Sequence, residues 1–230
     1  MRYYLCSSLV DYSKMELHNE HHLIEDLLKH ISFPCHALLV ASSPDDIEKT
    51  RHYAQEIVDV MNKHNLCLSG FDVLDRTSAK STKELIDKAD IIIAMGGHVP
   101  TQNTFFQEID LKKYLQNFNG IWIGSSAGSM NSATLVYEQP ELEGEVIDSM
   151  YQCFVPGLGI TEKMILPHYS SWKNEVIDGF RLLEDVTYPD SQGHTFYLME
   201  DGSYVLGDTE EEIEEVVGEY YILRDGVIVQ

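Results

Sequence analysis

Residues 120–130 read GIWIGSSAGSM. Three apolar residues, Ile121–Ile123, suit a buried strand, and the small residues after them suit a tight turn. Gly124-Ser125-Ser126-Ala127-Gly128 has the form G-x-S-x-G, with Ser126 at its centre. A nucleophilic serine needs this setting. It must project from a strained strand-to-helix turn, and small neighbours permit both that backbone and close packing of the following helix. The start of that helix, from about Ala127, offers backbone N–H groups to an oxyanion, the Ala127 N–H first. The same residues also fit a plain Gly/Ser-rich turn between a strand and a helix. Ser125 occupies the x position before the nucleophile. Ser129 lies in the first turn of the helix, where a serine commonly caps.

Upstream of this elbow the chain alternates strands and helices. Tyr3–Cys6, Ala37–Ala41, Phe71–Leu74 and Ile91–Met95 read as strands. Leu23–Ile31, Asp45–Asn65, Ser81–Lys88 and Thr104–Phe118 read as helices, with Ser43 as cap ahead of Pro44. Unbroken apolar strands alternating with helices predict a mostly parallel sheet covered on both faces, a three-layer α-β-α domain spanning 1–230. In such sheets, sites form outside the carboxyl ends of the strands. Gly96-Gly97 closes one strand as the elbow closes another, so both turns face one crevice. The N–H of Gly96 or Gly97 is a candidate second oxyanion donor, although the pair also fits an ordinary strand-to-loop turn, and His98 beside them is a candidate substrate contact.

The second half is less regular. Glu145–Asp148, Met164–Leu166, Phe196–Met199, Tyr204–Leu206 and Tyr220–Leu223 read as strands, and Trp172–Leu183 as a helix. Asp201-Gly202 and Asp225-Gly226 carry the hairpin dipeptide, which predicts β-hairpins towards the C-terminus. The acidic run Glu210–Glu215 reads as a solvated segment.

Sixteen Lys and Arg oppose 38 Asp and Glu, for a net charge of −22. That balance argues against nucleic acid and anionic membranes as partners. The N-terminus does not read as a secretory signal, and no apolar run reaches the length of a membrane span. Cys6, Cys35, Cys67 and Cys153 contain no CxxC pair and read as reduced, mostly buried thiols of a cytoplasmic protein.

Ten histidines compete for the role of general base. His168 ends the apolar run MILP, so it sits at a strand end, where a neutral imidazole accepts the serine proton and returns it to the leaving amine. His194 is the reserve, in a polar turn. His18, His21 and His22 lack the spacing of a recognised metal site and read as surface residues. The base needs an acceptor on its other nitrogen. Asp201 is the first choice and Glu200 the second, although Asp201 also reads simply as a turn residue.

The blocks IIIAMGG, NTFFQE, GIWIGSSAGSMNSA, ILPHY and LMEDGSY, in this order, resemble the dipeptidase E and cyanophycinase group of serine peptidases. The likeness spans roughly residues 36–206. It implies a class I glutamine amidotransferase-like (flavodoxin-like) fold and hydrolysis of small peptides, aspartyl dipeptides among them, with no metal or organic cofactor. It also implies Ser126, His168 and Asp201 as catalytic residues, Gly97 and Ala127 as oxyanion donors, and a substrate contact at Asn103. One departure stands out. His98-Val99-Pro100-Thr101-Gln102 separates Gly-Gly from Asn103-Thr104-Phe105, which predicts a longer loop over the oxyanion site. An acidic substrate would need cations, for which Lys163, Lys173 and His98 are nearest in sequence to these motifs.

A non-catalytic binding protein on the same fold is the alternative function. A glutamine amidotransferase would want cysteine at position 126. A lipase-type hydrolase would want its histidine after its acid, and His194 is the last histidine of the chain.

Overall fold

In the computed structural model, which describes residues 1–230, the alternating first half forms the core of one large sheet. Its strands are β1 (Arg2–Cys6), β2 (Cys35–Val40), β3 (Leu68–Leu74), β4 (Ile91–Ala94) and β5 (Ile121–Ser125). They lie in the spatial order β1-β5-β4-β2-β3, all parallel. Parallel strands buried on both faces favour continuous apolar runs. Leu38, Ile92, Ile93 and Trp122 are fully or almost fully buried.

The first-half helices cover this sheet: α1 (Leu23–His30), α2 (Ile47–Lys63), α3 (Thr82–Lys88), α4 (Val99–Glu108) and α5 (Leu111–Leu115). Three readings of this half change. Asp46, not Ser43, caps α2, its carboxylate accepting the Lys49 N–H at 3.1 Å. Of the predicted loop over 98–102, Val99–Gln102 is helical and His98 stands extended just before it. Pro100 falls in the first turn of α4, where its missing N–H costs nothing. The helix then stops before Asp110, whose φ of 52° ends it, so Thr104–Phe118 is two helices rather than one.

The chain then builds a second, four-stranded sheet. It consists of β6 (Met164–Leu166), β7 (Thr195–Met199), β10 (Tyr220–Arg224) and β11 (Val227–Ile228) in that order. Between β7 and β10 the chain returns to the large sheet as β8 (Tyr204–Asp208) and β9 (Ile213–Val217), antiparallel additions beyond β1. Asp225-Gly226 does close a hairpin, β10 to β11. Asp201-Gly202 does not. It carries the chain from β7 in the small sheet to β8 in the large one.

Glu145–Asp148 is turn rather than strand. Trp172–Leu183 is not a helix. A short helix α7 (Tyr169–Trp172) gives way to a small hairpin at Asp178-Gly179, where both residues have positive φ. The acidic run Glu210–Glu215 is exposed throughout, as read, although Glu214 lies on β9 and accepts the Tyr3 hydroxyl at 2.8 Å. Cys67 is exposed, against expectation, while Cys6 and Cys35 are buried; all four thiols are free. No helix is long and apolar enough to cross a membrane.

The helix after β5, α6 (Ala127–Met130), packs directly on β4. A Cβ added at Gly128 would lie 2.2 Å from the Ala94 carbonyl oxygen, a backbone atom that cannot move aside. Gly128→Ala should therefore destabilise the protein by about 2 kcal/mol or more, read from urea denaturation. An unchanged midpoint would show that α6 can lift from β4 at no cost.

Candidate active site

The carboxyl ends of β1, β5, β4 and β2 lie side by side, and each contributes a small residue to one crevice. Ser126 follows β5 with φ 51° and ψ −113°, values a non-glycine residue adopts only under constraint. The constraint is visible. Its N–H donates to the Cys6 carbonyl at the end of β1, at 3.1 Å. Its side chain makes no cap on α6, so the hydroxyl is turned elsewhere.

It is turned to His168. The hydroxyl lies 2.9 Å from Nε2, and Nδ1 lies 2.6 Å from Asp201 Oδ1. A carboxylate on Nδ1 fixes the proton there and leaves Nε2 as the acceptor of the serine hydroxyl. His168 has a left-handed backbone, φ 59°, at the end of β6. Asp201 sits in the turn between sheets. Burial alone would raise its carboxyl; hydrogen bonds from His168 and Ser7 overcome that and hold it below the usual range. It is therefore an anion at neutral pH. Glu200 points away and accepts the Ser170 hydroxyl at 2.7 Å. His194 stacks on Phe154, with ring centroids 4.4 Å apart.

Gly97 follows β4. A Cβ here would come within 2.4 Å of Ser42 Oγ, and the φ of 154° also disfavours a side chain. The Ser42 hydroxyl, beyond β2, donates to the Gly96 carbonyl. In a trans peptide the Gly97 N–H then points the opposite way. The N–H groups of Gly97 and Ala127 donate to no group of the protein, which leaves both available to an oxyanion.

These residues open into a cleft of about 740 Å³, lined by Ser42, Gly96, Gly97, His98, Ser126 and His168, and on its outer side by Lys49, His52 and Tyr53. His98 reaches the cleft while its ring contacts Thr101 and Glu145. Asn103 does not reach it. Its amide is buried and donates to Asn131 and the Pro156 carbonyl. Lys163 is paired with Glu214, and Lys173 lies beside Ser170 and the Tyr169 ring; neither lines the cleft. No cluster of three or more His, Cys, Asp and Glu is placed to hold a metal ion. Sequence reasoning missed Ser7, Ser42 and Lys49. Ser7 and Ser42 follow apolar strands, YYLC and LLVA, so their signal was position at a strand end rather than a motif.

The arrangement sets a serine hydroxyl, an imidazole and a carboxylate in line at a strand end of a three-layer α/β fold. The chain belongs to peptidase family S51, whose profile matches residues 12–214. It is a serine-type peptidase, in agreement with the resemblance to the dipeptidase E group. Two solved structures share the fold. A peptidase from an acI-B1 Actinobacterium superposes with a TM-score of 0.63 at 21% identity, covering 97% of this chain and 91% of the other. A protein provisionally titled peptidase E from Listeria monocytogenes EGD-e superposes with a TM-score of 0.61 at 15% identity, covering 94% and 98%. No curated protein matches the chain in a sequence search.

One carboxyl near the site is electrostatically costly. Glu138 is only 6% exposed, and burial together with the charge of Glu145 pushes it up to about 7 from 4.5. The folded protein thus keeps this proton to higher pH than the unfolded chain does. Its contribution to stability falls as pH rises from about 4.5 to about 7. Glu138→Gln should be more stable than the parent at pH 8, by about 2–3 kcal/mol, and no more stable at pH 4. Urea melts at the two pH values test this; equal differences at both would refute it.

Proposed function

We propose that the chain hydrolyses small peptides, aspartyl dipeptides among them, with Ser126 as nucleophile, His168 as base and Asp201 as its orienting carboxylate. The single observation that carries this reading is the unbroken contact chain, 2.9 Å from hydroxyl to Nε2 and 2.6 Å from Nδ1 to carboxylate.

The steps follow from the geometry. Ser126 Oγ attacks the peptide carbonyl as its proton passes to His168 Nε2. The oxygen becomes an anion that the Gly97 and Ala127 N–H groups stabilise. Asp201 stabilises the imidazolium without taking its proton. His168 then protonates the leaving amine as the C–N bond breaks, and an acyl-enzyme remains. Water, activated by the same imidazole, attacks the ester and restores Ser126.

The cleft lining supports an acidic substrate. In a protein of net charge −22, it gathers Lys49 and the imidazoles of His52, His98 and His168 against one carboxylate, Glu56. Lys49, exposed in the first turn of α2, is the fixed positive charge of this group and the natural partner for a substrate carboxylate. The four free thiols fit a reducing cytoplasm.

A panel of Asp-X and neutral dipeptides tests the reading. Ser126→Ala should lower kcat by at least about 10⁴-fold, and Asp201→Asn by about 10²–10⁴-fold. Glu200→Gln should stay within about threefold of the parent, since Glu200 faces Ser170. Retention of activity in folded Ser126→Ala would sink the proposal. Lys49→Ala should raise KM for Asp-X dipeptides about tenfold while sparing neutral ones. An equal effect on both would remove Lys49 from substrate selection.

A further inference from the structure

The residue that joins the base to the acid is Ser7. Its hydroxyl oxygen accepts the His168 backbone N–H at 2.9 Å and donates to Asp201 Oδ1, also at 2.9 Å. The Met199 carbonyl, at 3.3 Å, is a longer alternative acceptor, and the single hydroxyl proton goes preferentially to the nearer, charged oxygen. Asp201 Oδ1 is the same atom that meets His168 Nδ1. Two donors therefore converge on one carboxylate oxygen. Ser7 is fully buried, which leaves no room for water to replace its hydroxyl. Its own N–H donates to the Ser203 carbonyl at 2.9 Å, two residues beyond Asp201.

Each of these bonds acts on an otherwise poorly fixed element. His168 adopts a left-handed backbone that a histidine does not favour, and Ser7 satisfies the N–H there. Asp201 sits in a turn that crosses between two sheets, and no β-ladder fixes it. The preceding residue, Cys6, holds the nucleophile through its carbonyl. One dipeptide at the end of β1 thus touches the backbone of Ser126 on one side and both His168 and Asp201 on the other.

We infer that Ser7 is a positioning residue for catalysis, setting the His168 backbone and the Asp201 carboxylate in register with Ser126; this rests on the reading of Ser126, His168 and Asp201 as the catalytic groups. It touches no substrate, so its loss acts on turnover rather than on binding.

The test compares Ser7→Ala and Ser7→Cys with the parent and with Ser126→Ala. The cysteine variant nearly preserves volume and replaces a strong hydrogen-bonding group by a weak one, so it decides the matter if the alanine variant does not fold. Both variants should lower kcat on a cleaved dipeptide about 10- to 100-fold with KM within about twofold. The downfield proton resonance of the His168 Nδ1–Asp201 hydrogen bond should weaken or vanish in both. A folded Ser7→Cys protein with parental kcat and an unchanged resonance would overturn the inference. Activity surviving in Ser126→Ala would instead overturn the catalytic reading. The resonance needs no substrate and still reports on Ser7 in that case.

Discussion

The carbonyl of Cys6 carries two hydrogen bonds on which the cleft end of the sheet depends. It accepts the Ser126 N–H at 3.1 Å and the Ser129 hydroxyl at 2.7 Å. The first extends the parallel β1–β5 ladder one residue past Ser125, into the turn itself. The second pins the first turn of α6 to the neighbouring strand. Together they hold Ser126 in a backbone conformation that it would leave if the turn were free. The strain is supported by a ladder buried on both faces. A short helix such as α6 could not hold it alone.

From that point the layout of the site follows strand order. β1, β5, β4 and β2 are consecutive neighbours, and their ends carry Ser7, Ser126, Gly97 and Ser42 in the same sequence, Ser7 fully buried and the other three lining the cleft. Ser126 stands between the group that contacts His168 and Asp201 on one side and the Gly97 backbone on the other. Ser42 fixes the Gly96 carbonyl on one flank as Ser7 fixes His168 on the other. These roles come from four segments far apart in the chain. Only the closeness of parallel strands, about 4.8 Å apart, makes them one site.

This explains what could be read from the residues and what could not. Ile91–Ala94 and Ile121–Ile123 declared themselves as strands because a doubly covered parallel sheet demands uninterrupted apolar runs. The elbow was legible because its small residues, in the form G-x-S-x-G, directly follow such a run and precede a helix. Ser7 and Ser42 carry no such mark, because a lone serine after a strand is ordinary; their meaning lies in partners 161 and 54 positions away. The helix read over Trp172–Leu183 failed because the apolar residues there serve a hairpin and a wide turn of helix. Ile177 of the hairpin and Leu182 and Leu183 of the wide turn pack into the same core as Tyr137, Phe196 and Trp172, while Val176 and Phe180 stay exposed. Pro100 misled in the opposite direction. A proline after glycines reads as loop, yet at the start of a helix it is at home.

The Asp201-Gly202 turn shows how local chemistry and global topology divide the work. Asp-Gly is the strongest short signal for a hairpin, and a hairpin would have paired β7 with β8. In the structure β7 instead lies between β6 and β10, while β8 joins β1. The turn thereby spans the seam between the two sheets, and β6 brings His168 to the same seam. A tight hairpin would have kept Asp201 at the tip of its own ladder, its carboxylate directed to solvent. Here it reaches across to an imidazole and a buried hydroxyl. Glycine at 202, with φ 90°, permits the sharp change of direction that this crossing needs. Asp201 is thus presented by a departure from the local preference, and the two hydrogen bonds on its Oδ1 keep it ionised against its partial desolvation.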